Sequence, residues 1–368
     1  MKFVCNKTAL SEAISNVSRA VSPKSTIAAL EGIKVKVSPG EIELTAYNLE
    51  MGIRTTIPAE TQDNGEFVVS SRLFSEFTRR MSGEIISFDV DDNLIINISC
   101  SATECSFSAM SASEYPELPT VDSARSFTVK QNVLKSMITQ TSYAASLNES
   151  KPILTGELFD IEDGRFNMVA IDGFRLAIRN ENIDCGEKYY FVVPKKALLE
   201  LSTLIKDDSD EKICTICTND RHIIFEVNNV FVISRLLEGT FHNYKLSIPN
   251  DCKTEVVINK RDFQTCLERC SLLLDEKNKC PIRCEISGSI MKISCKTGIG
   301  KINDSLLADI SGDSVTIGFN NKLILEALRA AEGDKIRIKF NGPNRVIEIL
   351  PLQGDNYIFL VMPIQLKN

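Results

Sequence analysis

Val68–Met81 reads VVSSRLFSEFTRRM, Val192–Ile205 reads VVPKKALLELSTLI, and Ile317–Ala331 reads IGFNNKLILEALRAA. Each is an apolar strand end, a polar break, then a run with apolar residues three and four apart, the spacing of one helical face. A second phrase also recurs three times. FVCNKTALSEAISNVSRA from Phe3 returns as FTVKQNVLKSMITQTSYA from Phe127 and as VVINKRDFQTCLERCSLL from Val256. A third, TAYNLEMGIR from Thr45, returns as VAIDGFRLAIR from Val169. Phrases in one order, repeating at roughly 120 residues, describe one module built three times.

Each module opens with a short strand and a helix. In the first copy Leu10, Ala13, Ile14, Val17 and Val21 mark the helical face. GIKVKV, EIELTAY and MGIRTTI follow as strands, then a second helix near 71–81, then IISFDV and NLIINIS joined at Asp91-Asp92-Asn93. Strand, helix, strands, helix, strands predicts an α+β module rich in antiparallel sheet. SEYPELP (Ser113–Pro119) and FHNYKLSIP (Phe241–Pro249) close the first two copies. The expected domains are therefore 1–123, 124–250 and 251–368, without long flexible linkers between them. Repeated units meeting through equivalent contacts form an arc, which can close by oligomerising.

The 368 residues are used up by three modules, leaving no room for a separate catalytic domain. An apolar share of 43% and a charged share of 25% are ordinary for a globular chain. No run is long enough to span a bilayer. Polar Asn6 and Lys7 interrupt any leader-like core, so a cytosolic chain is expected. Twelve cysteines fall in strand-like or helix-core positions, Cys266 and Cys270 one turn apart, and read as reduced, buried hydrophobes. Cys214 and Cys217 sit in the alternating KICTICT, where an offset of three points two thiols to opposite faces. No metal or cofactor is expected.

Enzyme motifs do not assemble. Asp172 in AIDGFRLA, with Arg175 nearby, is the tempting carboxylate of a hydrolase that would also use a histidine. Asn48 stands at its equivalent in the first copy, so a hairpin cap is the favoured reading. His222 and His242 lack a paired acid or nucleophile at a known spacing. DVDDN (89–93) lacks the glycine and terminal glutamate of a calcium loop, and TGIGK (297–301) lacks phosphate-loop spacing.

Net charge is −7, which taken alone opposes nucleic acid. The distribution of charge says more. Arg72 and Arg79 lie seven apart on one helix, as do Lys322 and Arg329, and Lys195-Lys196 open the equivalent helix of the second copy. Arg19, Lys24, Lys135, Lys151, Lys260 and Arg269 fall on or beside other helices. Recurrence on equivalent helices suggests a positive surface following a phosphate backbone without reading bases. The plainer alternative is a set of solvated helix faces, helped by Glu76 and Glu326 at i+4. Finally, NYIFLVMPIQL (356–366) stays apolar almost to the last residue. Tyr357–Val361 reads as a core strand, and Met362, Pro363 and Ile364 as an adaptable floor for a bound peptide.

Together the three modules, VPKKALLEL, AIDGFRLA, FNNKLILEAL and the terminal VMPIQL resemble the bacterial β sliding clamp family, processivity subunits of the replicative polymerase. The resemblance spans essentially the whole chain. It implies two chains head to tail in a six-domain ring, helices lining the hole and antiparallel sheets outside. Such a ring can be acidic overall and basic within. It implies sequence-independent binding of encircled double-stranded DNA through Lys24, Arg72, Arg79, Asn148, Lys151, Lys195 and Lys196. It also implies a groove for short apolar peptides of the replicative polymerase, clamp loader, repair polymerases and mismatch-repair proteins. Its residues would be Leu154, Ile171, Gly173, Phe174, Arg175, Leu176, His242, Val346, Leu360, Val361, Met362, Pro363, Ile364 and Leu366. The homodimer interface would pair Phe107 and Ala109 with Leu272 and Leu273. Phe174, His242 and Gln365 stand where histidine, proline and arginine are common in the family, which bears on groove specificity. The implied protein is non-enzymatic, needs no cofactor and works in the cytoplasm on the nucleoid. Its rival among binding proteins is a DNA scaffold that stays an open arc.

Overall fold

A computed structural model describes residues 1–121, 125–206, 211–274 and 280–366; the expected 123/124 boundary lies outside the described residues. Among them are the helices α1 (Lys7–Val17), α2 (Ser71–Arg80), α3 (Gln131–Thr141), α4 (Lys195–Leu204), α5 (Lys260–Ser271) and α6 (Asn321–Ala330). Local chemistry starts them. Asn6 Oδ1 accepts from the Ala9 amide at 3.0 Å, Asn259 Oδ1 from Asp262 at 3.1 Å, and Asn320 Oδ1 from Lys322 at 3.0 Å. Each satisfies an amide that the first helical turn leaves unpaired. Leu10, Ala13, Ile14 and Val17 bury one face of α1; Phe263, Cys266, Leu267 and Cys270 do the same on α5. Val21 lies beyond a 3-10 turn (Ser18–Ala20) and belongs to the exit from the helix.

In the first and third copies the first side chain of the leading helix makes an equivalent stitch, while in the second it reaches a strand instead. Lys7 Nζ donates to the Met81 carbonyl at 2.6 Å, just past α2, and Lys260 Nζ to the Ala331 carbonyl at 2.8 Å, just past α6. Gln131 Nε2 reaches the Ile213 carbonyl at 3.1 Å. Carbonyls at a helix C-terminus lack partners and favour a cation. Lys260 is thus a structural tie, a correction to its reading as surface charge.

Two compact units emerge: residues 1–132 with 200–236, and 133–199 with 237–368. In the first, a sheet runs in spatial order Thr103–Ser108, Ile95–Cys100, Ile85–Val90, Lys2–Asn6, Met51–Thr61, Val230–Arg235, His222–Val227, Ile213–Thr218, Ser126–Lys130. In the second, one sheet runs Tyr189–Pro194, Gly156–Glu162, Arg165–Ile171, Arg175–Asn182, Tyr357–Val361, Ile347–Pro351, Lys335–Phe340, Thr254–Asn259, Asp309–Gly312. A four-stranded sheet in that unit places Lys301–Leu307 at its edge, beside Ile290–Lys296. All these pairings are antiparallel.

Module junctions are strand pairings inside each unit. Met51–Thr61 of the first copy pairs with Val230–Arg235 of the second, with Met51 opposite Ser234. Arg175–Asn182 of the second copy pairs with Tyr357–Val361 of the third, with Arg175 opposite Val361. The same strand of the module is used each time, so the repeat in sequence is also a repeat of junctions. Thr103–Ser108 and Lys301–Leu307 are the corresponding strands left at sheet edges. The second unit's main core gathers Phe263, Cys266, Ile317, Ile324, Leu328, Ile338 and Phe359.

Candidate functional site

A cavity of about 810 Å³ opens in the second unit. Its wall begins at the hairpin Ile171–Leu176, whose shape comes from one carboxylate. Asp172 Oδ1 accepts from the Phe174 amide at 2.8 Å and the Arg175 amide at 3.0 Å, and Gly173 supplies a φ of +92°. Asn48 Oδ1 caps the equivalent turn of the first copy, taking the Glu50 and Met51 amides at 3.1 and 2.8 Å. Asp172 also accepts from Arg175 Nε at 3.0 Å, and Glu326 holds the other end of that guanidinium, which lies over the Tyr143 ring. The carboxylate is therefore structural.

The hairpin tip leaves Phe174 68% exposed, while its backbone anchors the chain's end: the Met362 amide donates to the Phe174 carbonyl at 2.8 Å. Farther on, the Ile364 amide donates to the Gly318 carbonyl at 2.7 Å. A Cβ on Gly318 would stand 2.4 Å from the Ile364 carbonyl oxygen and 2.8 Å from Leu366 Cδ2, so only glycine lets the tail lie there. Met362 stays half exposed beside the cavity.

Of the residues expected at a groove, the structure gathers Leu154, Ile171, Gly173, Phe174, Arg175, Leu176, His242, Val346, Leu360 and Met362 around this one cavity. Behind them a buried apolar cluster of Leu158, Val169, Ile178, Phe241, Tyr244 and Leu360 forms a rigid floor. Val361 departs from expectation. It is 1% exposed and packs in the main core, because neighbouring residues on a strand face opposite ways and Leu360 takes the cavity side. Pro363, Ile364 and Leu366 lie outside the lining, along the strand Val315–Phe319, and serve to hold the tail.

Sequence reasoning missed Ile153, Thr240, Ser247, Asn344 and Arg345, and it assigned Lys151 elsewhere; all six line the cavity. Ile153 follows the apolar pattern of Leu154, a signal that was available. The others come from loops without periodicity. Lys151 and Arg345 are exposed and form no ion pair among the described residues, so the apolar cavity has a basic mouth. His242 Nε2 lies 3.2 Å from Ser247 Oγ at the same rim.

The basic positions differ in their freedom. Lys24, Arg72 and Lys196 are exposed and without ion pairs among the described residues. Arg79 is tied to Glu76 at 3.0 Å, and Arg80 shares the same carboxylate at 2.8 Å. The expected Glu76 partner, Arg72, is passed over for cations C-terminal to the glutamate, the favoured order on a helix. Arg19 pairs with Glu200 at 3.0 Å, and Arg269 Nε with Asp304 at 3.0 Å. Lys195 is half buried, and desolvation lowers its pKa, with Glu157 opposing the shift. Asn148 is exposed, its Oδ1 capping the Ser150 amide at 3.0 Å.

The edge strands carry the last group. Phe107 stacks on Phe77 with centroids 5.4 Å apart, and Ala109 follows that strand half exposed. Leu272 is 79% exposed just after α5, and Leu273 lies against Gly300 at the start of the edge strand Lys301–Leu307. Leu307 on that strand is 82% exposed.

Three α+β modules, two strand-paired junctions of one type and an apolar cavity at the second junction define a repeat-built protein with a preformed cavity. Family models agree in detail. Those for the N-terminal, central and C-terminal domains of the DNA polymerase III beta subunit match residues 1–119, 128–243 and 245–365. The chain is 31% identical over 378 residues to the beta sliding clamp of Bacillus subtilis, covering 99% of this chain and 100% of that one. It is 30% identical over 380 residues to the beta sliding clamp of Halalkalibacterium halodurans, with coverage of 99% and 100%. A crystal structure of the Bacillus subtilis DNA polymerase sliding clamp superposes with a TM-score of 0.96 over 100% of both chains at 30% identity. The chain belongs to the DNA polymerase III beta subunit family, the sliding clamps.

Proposed function

We propose that two copies of this chain close head to tail into a ring that encircles duplex DNA and tethers the replicative polymerase. The repeated junction carries this reading. Two junctions within the chain pair one type of strand, and the two edge strands left over, Thr103–Ser108 and Lys301–Leu307, are the members of a third. Phe107, Ala109, Leu272 and Leu273 sit at those edges and form the contact between copies. Module boundaries fall near 123 and 250. The ring works in the cytoplasm, has no catalytic activity of its own and needs no cofactor.

DNA is retained by enclosure and contacted through charge, without base reading. Arg72, Lys196 and Lys322 each occupy the second position of their helices, where a cation opposes the helix dipole. A placement that costs stability yet recurs in three modules is supported by a role outside the fold, and phosphate is the partner that both a helix N-terminus and a cation attract. Lys24, Asn148 and Lys151 extend the surface, while Arg79 and Lys195 contribute less because of the partners described above. The cavity takes short apolar peptides of the polymerase, the clamp loader, repair polymerases and mismatch-repair proteins. Its basic mouth favours an acidic residue beside the apolar ones.

The deciding experiment loads the protein onto nicked circular DNA with a clamp loader and ATP, then compares its retention there with retention after the same DNA is linearised. A ring stays on the circle at salt that strips it from the linear form; equal loss from both would leave an open arc. For the cavity, Met362→Ala should weaken an apolar peptide several-fold in titration calorimetry and leave the oligomer unchanged. Unaltered affinity would remove Met362 from the docking site.

A further inference from the structure

Cys280 and Cys295 bring their Sγ atoms to 4.0 Å one strand in from the edge Lys301–Leu307, Cys295 lying opposite Ile302. Cys295 lies on the strand Ile290–Lys296 and is 2% exposed; Cys280 lies two residues before the paired strand Ile282–Ser287 and is only half buried. Cys280 Sγ also lies 3.2 Å from the Pro281 carbonyl, which fixes it on the Cys295 side. We propose that these two thiols form a reversible disulfide, closed by exchange with a small soluble disulfide.

The geometry divides the roles. Cys280 is the thiol a reagent can reach. Cys295 is enclosed by the main core, and burial, with the Cys280 and Cys270 thiols beside it, pushes its pKa up to about 12. A buried thiol of that kind does not start exchange with a dissolved reagent, but it can attack a sulfur held against it. Cys280 as thiolate attacks the reagent RSSR, forming a Cys280–SR bond and releasing RS⁻. Cys295 sulfur then attacks Cys280 sulfur, the S–SR bond breaks, and the second RS⁻ leaves. Protons from the two thiols end on the two released thiolates. Two protein thiols and RSSR become one protein disulfide and two RSH.

A disulfide needs the sulfurs at about 2.05 Å, a shift that rotation about the side-chain bonds supplies on a pair already in contact. The other buried thiols lack this combination. Cys266 and Cys270 are both fully enclosed on α5, and Cys284 is 1% exposed.

Oxidised glutathione added to the native full-length protein is the test, followed by alkylation of remaining thiols, trypsin digestion and mass spectrometry. The tryptic peptides Cys280–Arg283 and Ile293–Lys296 should appear joined, lighter by two hydrogen atoms than the separate pair, and should part on adding dithiothreitol. Cys280→Ser, a change at a half-exposed site, should leave Cys295 unmodified. Glutathione held stably on Cys280 of the unaltered chain would overturn the proposal. So would both thiols alkylated in full after exposure, or Cys295 joined to Cys270.

Discussion

Glu157 is fully buried, and its neighbours say which form it takes. The Thr141 hydroxyl lies 2.8 Å from the Met137 carbonyl and also contacts Glu157, while Ser142 Oγ contacts the other carboxyl oxygen. One threonine proton cannot serve two acceptors. A protonated Glu157 that donates to Thr141 and accepts from Ser142 satisfies every atom. Burial raises its pKa from 4.5 to about 7, against the two hydroxyls and Lys195, which lower it. A carboxyl whose folded pKa is raised contributes fully below its unfolded value, and that contribution is lost as pH rises to about 7. The unfolding free energy from urea titrations should therefore fall between pH 4.5 and 7, by about 3 kcal/mol at most. Glu157→Gln copies the protonated form, so its stability should be flat over that window and match or exceed the parent's at pH 8. An unchanged slope in the variant would place the titration elsewhere. This role was invisible in the sequence, where Glu157 stands inside a strand of ordinary pattern. Asp172 was legible because an Asx residue at a strand-to-strand break has few other uses.

Helices and strands were readable wherever period and caps agreed, as in α1, α5 and the strands Gly32–Ser38 and Glu41–Tyr47. Thr103–Ser108 came only from the resemblance, which put Phe107 on a strand; its residues are mostly exposed and polar, and an edge strand has little buried alternation to announce it. Val361 was legible as part of the core strand Tyr357–Val361; only the family resemblance put it in the groove, and alternation along that strand turns it to the core. Loop residues such as Thr240, Asn344 and Arg345 reach the cavity through tertiary structure that no local period encodes. Charge on helices was legible in position but not in pairing, since Glu76 chose Arg79 and Arg80. Arg72 tests the difference. It is exposed, unpaired among the described residues and set against the dipole of α2. Arg72→Ala should leave the thermal midpoint unchanged or slightly higher while weakening DNA binding equally across sequences. The slope of log affinity against log salt should drop by about one. The same substitution at Arg79, already held by Glu76, should do less. An effect confined to one DNA sequence would mean base reading and count against sliding.

The edge strands Thr103–Ser108 and Lys301–Leu307 are where the proposed assembly would form. An exposed strand edge invites pairing with another chain, and proteins usually blunt such edges with charge or cover. Lys301–Leu307 instead alternates exposed and half-buried residues and ends in Leu307 at 82% exposure, with Leu272 at 79% just after α5. Large apolar side chains so exposed beside an open edge are what the proposed contact between copies would cover. Pairing this edge with Thr103–Ser108 of a second copy repeats the internal junction, and two such contacts related by a two-fold axis close the assembly without leaving a free end. The chain is 40.9 kDa, so light scattering should give twice that mass, persisting on dilution well below micromolar. Leu272→Asp places a charge where the apolar contact forms. Because Leu272 has little to lose within its own chain, the variant should melt as a folded protein yet scatter as a monomer. It should also lose selective retention on circular DNA while still binding an apolar peptide. A variant that stays dimeric would move the interface away from α5, and one that loses peptide binding as well would show that the substitution had damaged the fold.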